Sequence, residues 1–462
     1  MNARDHRGLS LSAGTPRSIE RYEQALGLLQ IYSGNPLAII EETLAEDPTF
    51  IAGHALRAAL MVTTSERRAL PELQKSVEAG EQLIARGAGN ERERAQLAAA
   101  RAWLDGDFEL ATDRYNRVSL EHPRDALALQ VSHLCNFFLG RSTWLRDHVA
   151  AALPHLTPGE PLYGYAQGML AFGLEECHEF ERAEAAGLTA LECDRRDTWA
   201  VHAVAHCHEM RGKPAQGIAW LAQREADWAP ENFFAVHNYW HWALYHLELG
   251  EVDPVLALYD HEIRGSNSEV VMDLLDASAM LWRLLLSGVD VRERFVALAD
   301  VWRRIEEHDF YGFNDWHALM AYAGAGARAD VQRVLSSLER QDSPLRLAPH
   351  ETRQACRGFA AFAEGDYARA VEVLFPLRTF AQRFGGSHAQ RDILDWTLLE
   401  AALRDKQLSF ARALAEVRRD RKPSSPAPLR LLARGYAEAG ALESAADARQ
   451  QAEHHALQLD GR

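Results

Sequence analysis

Five histidines and two glutamates stand at spacings that helix faces could present together. His202, His206 and Glu209 precede a turn glycine, Gly212. At about 100° per residue they fall at roughly 0°, 40° and −20° on a helix, one narrow stripe. His237, His241 and Glu248 precede Gly250 and fall at roughly 0°, 40° and 20°, with Trp240 beside them. His241 lies nine residues before Gly250, and His317, in the dipeptide Trp316-His317, lies nine before Gly326. Imidazole changes charge near neutral pH, so such a cluster suits acid–base work, with His202, His206, Glu209, His237 and His241 as the catalytic candidates. Trp240, Glu248, Trp316 and His317 would line the same pocket.

Two alternatives stand beside that reading. His-x-x-x-His on a helix also suits a metal, and an ion would then use His202, His206, His237 and His241. The zincin pattern needs Glu directly after the first His, whereas Ala203 and Asn238 stand there. The blander alternative is a set of core histidines hydrogen-bonded to backbone or to glutamate. His206-Cys207-His208 is no metal triplet, because consecutive helical residues point about 100° apart.

The segment Gly385-Gly386-Ser387-His388-Ala389-Gln390-Arg391-Asp392 carries a second kind of chemistry. Ser387 with Gln390 three residues on is a capping box, so a helix starts here. Its free N–H groups, with His388 and Arg391, would suit a carboxylate or phosphate; the alternative is a well-capped helix after a flexible turn. Phe233, Phe234, Tyr239, Trp242 and Trp282 suit packing between helices. Gly324 and Gly326 have no strand before them, and neither a P-loop nor Gly-x-Ser-x-Gly occurs.

The elements that must position these residues are helical hairpins. Apolar residues recur at i, i+3, i+4 and i+7 almost end to end. Gly106-Asp107-Phe108 followed by Ala111, Tyr115 and Val118 has the spacing of the second half of a tetratricopeptide repeat. Gly365-Asp366-Tyr367 with Ala370 and Leu374 repeats it, and weaker copies begin at His178, Gly212, Gly250 and Gly440. Glycine ends the first helix, aspartate caps the second, and the small residue lets the two approach. The expected fold is therefore all-α: a tetratricopeptide-like superhelix, or α-solenoid, in one continuous array over 19–462. Residues 1–18 are expected to be mobile, and Leu429–Leu457 to form a capping hairpin. Loops are expected at 152–160, 264–269, 341–350 and 421–428.

Composition narrows the function classes. The 462 residues carry 50 basic and 66 acidic side chains, a net charge of −16, which argues against a nucleic-acid groove or an anionic membrane surface. Five scattered cysteines without a Cys-x-x-Cys fit a reduced compartment. Met1–Ser18 has no apolar core and no run approaches a membrane span, so a soluble, cytoplasmic chain is expected.

The residues also carry a resemblance. Val201-His202-Ala203-Val204-Ala205-His206 with Glu209-Met210-x-Gly212, then His237-Asn238-x-x-His241 with Leu247-Glu248-x-Gly250, then Gly385–Asp392, together resemble the tetratricopeptide repeat protein 38 family over nearly the whole chain. Cys207-His208 departs from the pattern. The resemblance implies an α-helical repeat array and no transferable activity.

The expectation is a His/Trp/Glu-lined concave pocket for a small, anionic molecule, with hydrolytic or eliminating chemistry open to it. The rival from another class is a scaffold holding a peptide or partner protein in its groove. Neither a cofactor nor an oligomeric state follows from the sequence.

Overall fold

The computed structural model describes residues 3–12, 14–340, 347–423 and 425–459, without the side chains of 458 and 459. Among the described residues the chain forms 24 α-helices and one two-stranded ribbon, an all-α array of helical hairpins. Asp107 caps the Phe108–Glu121 helix by accepting from the Leu110 amide, and Asp366 caps Tyr367–Leu377 by accepting from Arg369. The preceding Gly106 and Gly365 take φ values of 79° and 81°, a conformation that costs a side-chain-bearing residue ~1–2 kcal/mol. His178 adopts φ 62° at the corresponding turn of the weaker copy, so that hairpin forms at a local cost. The small residues Ala111 and Ala370 are fully buried at the helix contacts, and Tyr115 and Leu374 fill the space behind them.

Two compact units make up the chain: Met1–Val204 with Ala226–Ala235, and Ala205–Glu225 with Val236–Arg462. In the first, residues 3–12, expected to be mobile, form the ribbon Ala3–Arg4 with Ser10–Leu11. Arg7 pairs with Glu23 at 2.7 Å, Arg92 donates to the Ser10 carbonyl, and Ser12 donates its amide to Glu93. The first helix begins at Pro16, capped by Thr15.

The second unit carries the helices that hold most of the histidines. Pro214–Trp228 and Ala235–Leu249 meet at Gly217, where an added Cβ would fall 2.3 Å from the Tyr245 ring. The Tyr245 hydroxyl in turn donates to the Ala205 carbonyl at 2.6 Å. Val271–Leu286 is buried along nearly its whole length and packs on Gly312–Ala325 and His388–Arg404. The expected C-terminal hairpin is formed by Ala427–Glu438 and Leu442–Leu459. Of the expected loop at 341–350, positions 341–346 lie outside the described residues.

Candidate functional site: a histidine–carboxylate cluster

Three of the singled-out histidines meet in the second unit. The ligating nitrogens of His206, His237 and His241 lie within 4.8 Å of one another. The His206 and His241 ring centroids are 4.4 Å apart, and those of His237 and His241 4.9 Å. His206 and His241 have no exposed surface, and His237 is buried. The i, i+4 spacing of His237 and His241 puts both on one face of Ala235–Leu249, and the bond from the Tyr245 hydroxyl to the Ala205 carbonyl ties that element to Thr198–Met210, which carries His206.

Two carboxylates orient the rings. His241 Nδ1 lies 3.0 Å from Glu209 Oε2. His237 Nδ1 lies 2.9 Å from both oxygens of Asp276, which is itself buried. An ionised carboxylate takes an N–H, so these contacts put the proton on Nδ1 and the lone pair on Nε2. Burial pushes the His241 pKa well below its ordinary value, and the neighbouring His206 and His237 push it further down. Its ring is thus neutral at physiological pH. Burial raises the Asp276 carboxyl, with His237 opposing.

A small pocket adjoins the cluster, with about 30 Å³ of free interior, room for one or two waters or a compact ionic group. Glu209, Glu248, Arg283, Asp392, Trp396 and Lys422 are among its walls, so Glu209 belongs to both pocket and cluster. Trp240 connects them as well. It stacks on His237 at 5.3 Å, meets His241 edge-on, and has the Arg283 guanidinium 5.2 Å from its ring centre. Lys422 Nζ sits 3.3 Å from Glu209, and Arg418 grips Asp392 at 2.5 and 2.9 Å. Burial alone would raise the Asp392 carboxyl, but Arg418 and Lys422 outweigh it and hold it well below the carboxylate range.

The remaining candidates have the following surroundings. His202, four residues before His206 on the same helix, belongs to the first unit, buried among Phe172, Trp199 and Phe234. Trp316 is fully buried against Phe359 and Phe384. His317 gives Nδ1–H to the Phe313 carbonyl at 2.8 Å. Glu248 lines the pocket and accepts from Ser425. The capping box at Ser387 is formed as expected. Arg391 donates to the carbonyls of Gly385 and Gly386, closing the turn before that helix. The cations lining the pocket are Arg283 and Lys422, neither of which the sequence reading singled out. Asp276 was missed as well. One signal could have found two of the three: Asp276 and Arg283 stand, with Asp273 and Ser278, among the few polar residues of a mostly apolar helix, Val271–Leu286.

The fold and the cluster together define a helical-hairpin array with a buried histidine–carboxylate centre. No protein-family model matches the chain. Among solved structures it is similar to the human IFIT1 dimer with PPP-AAAA, at 14% identity over 98% of this chain and 97% of that one, with a TM-score of 0.42. The human IFIT1 dimer with m7Gppp-AAAA gives 14% identity, 99% and 98% coverage, and the same TM-score of 0.42. A likeness this distant leaves the chemistry to be argued from the residues. No described helix is long and apolar enough to cross a membrane.

Proposed function

We propose that the second unit is a metal-dependent site, in which His206, His237 and His241 hold a divalent transition ion beside a pocket for a small anionic ligand. One observation carries this reading: three imidazoles lie with their ligating nitrogens within 4.8 Å of one another, and two of them are backed by carboxylates. Tetrahedral zinc with Zn–N bonds near 2.0–2.1 Å needs nitrogens ~3.3 Å apart, so a modest inward movement suffices. A carboxylate on the far nitrogen fixes the tautomer and raises the ring's basicity, the usual outer support of a metal-binding histidine. Three imidazole nitrogens would leave a fourth position open, the arrangement by which a bound ion activates water or polarises an oxyanion.

A metal-free acid–base site is a weaker fit, because burial and the neighbouring imidazoles hold the His241 pKa well below its ordinary value. A peptide groove fits less well still, given about 30 Å³ of free interior. The strongly acidic chain, with its net charge of −16, disfavours a nucleic-acid backbone as the partner. The resemblance to the tetratricopeptide repeat protein 38 family rests on motifs that include these same three histidines.

The test is inductively coupled plasma mass spectrometry on protein purified without an affinity tag. About one transition-metal ion per chain is expected, and a His206→Ala/His241→Ala double variant should lose it. A wild-type protein that neither carries nor takes up zinc, cobalt or iron would rule out the metal reading.

A further inference from the structure

Arg283 is 2% exposed, yet among the described residues no carboxylate lies within ion-pair distance of it. Its two hydrogen bonds go to helix carbonyls, Ala279 at 3.3 Å and Ala389 at 2.7 Å. The other deeply buried arginines have anionic partners: Arg92 holds Asp125 at 2.6 Å, and Arg418 holds Asp392. A buried guanidinium without a counter-ion is costly, and folds seldom keep one without a use for it.

The carboxylates that share the pocket are committed elsewhere. Asp392 is gripped by Arg418, Glu209 is divided between His241 and Lys422, and Glu248 accepts from Ser425. Three carboxylates there balance three cations. With Asp276 behind His237 counted as a fourth carboxylate, a divalent ion on neutral imidazoles would leave the site positive by one charge, next to a guanidinium already lacking a partner.

We propose that Arg283, with Lys422 lining the same pocket, binds the oxyanion group of the site's ligand, a carboxylate or a phosphate small enough for this pocket. The inference rests on the metal reading for the second charge that draws the anion, but Arg283 supplies the first by itself. The guanidinium offers a planar fork of donors matched to two oxygens, with Trp240 beside its face. The chemistry common to both ligand types is a pair of oxygens sharing negative charge, and separate probes distinguish them.

Isothermal titration calorimetry of the zinc-loaded protein with inorganic phosphate and, separately, with acetate tests this. One of the two should bind with one-to-one stoichiometry. Tighter phosphate identifies a phosphoryl ligand, and tighter acetate a carboxylate. Arg283→Gln should weaken that binding at least tenfold with zinc content unchanged. Arg283→Lys, which keeps the charge if the glutamine variant fails to fold, should weaken it about threefold to tenfold through loss of the fork. Full anion affinity in both variants would overturn the proposal, as would a zinc-loaded wild type that binds neither probe. A protein that takes no zinc but still binds an anion through Arg283 would refute the metal reading and leave this one standing.

Discussion

His241 and His317 each follow a tryptophan and each stand nine residues before a turn glycine, yet their imidazoles meet different partners. His241 Nδ1 faces Glu209 on another helix, and its ring sits among His206, His237 and Trp240. His317 Nδ1 faces the Phe313 carbonyl one turn earlier on its own helix, and its ring sits among Phe313 and Trp316. Both are buried to within 1%. The difference lies in what the neighbouring helix brings: a carboxylate and further imidazoles in one case, aromatic carbon in the other. A carboxylate fixes a histidine as a ligand facing outward from its helix. A carbonyl of the same helix merely satisfies a core polar group.

The largest effect expected from this contrast is on metal content. His241→Asn should lower zinc occupancy of the purified protein to near zero, whereas His317→Asn should leave it unchanged. Equal loss in both variants, by plasma mass spectrometry, would break the comparison. The next effect isolates the outer carboxylate. Asp276→Asn keeps the shape but offers His237 a weaker acceptor, and zinc affinity should fall about 10–100-fold. An unchanged affinity in competition with a chromophoric chelator would mean that Asp276 only packs.

A third measurement uses acid. Burial, with the Phe313 carbonyl opposing it, lowers the His317 pKa from 6.5 to about 3. The folded state then stays neutral there while the unfolded chain takes up a proton below 6.5, so stability falls as pH falls. From pH 7.5 to pH 5 this one residue should cost about 2 kcal/mol. His317→Asn should flatten the urea-measured stability profile by that amount between those pH values. A variant whose profile keeps the wild-type slope would show that His317 titrates normally.

The hairpins were legible because their signals are local. Gly106-Asp107 and Gly365-Asp366 combine a left-handed turn with a side-chain cap, and neither depends on distant contacts. The convergence of His206 with His241 was legible for a related reason, since each stripe is a property of one helix and the two helices are the first members of successive hairpins. What each stripe faces is not local. Asp276 stands 39 residues from His237, and Lys422 stands 213 from Glu209; no periodicity encodes those meetings. Trp316-His317 was grouped with Trp240-His241 because the phrase is the same. The sequence around it does not say that Phe313, Phe359 and Phe384 close on it. Arg391 drew attention as the arginine beside a helix start, while the buried arginine lining the pocket sits inside an apolar helix.

The smallest expected effect concerns the tie that sets the distance between imidazoles. Tyr245 lies one turn beyond His241 and donates its hydroxyl to the carbonyl of Ala205, the residue before His206. That bond joins the two histidine-bearing helices within a residue of the cluster, and Gly217 gives the Tyr245 ring the room to make it. Nothing comparable is needed at His317, whose partner is on its own helix. Tyr245→Phe removes one neutral hydrogen bond and little volume, so stability should fall by about 1 kcal/mol. Zinc affinity should weaken, but by less than the carboxylate substitution weakens it, because the ligands and their outer partners remain. The visible spectrum of the cobalt-substituted protein reads the geometry directly. Its d–d bands should shift or broaden in Tyr245→Phe and stay unchanged in His317→Asn. Identical spectra in wild type and Tyr245→Phe, together with unchanged urea stability, would show that the helix pair is positioned by packing alone.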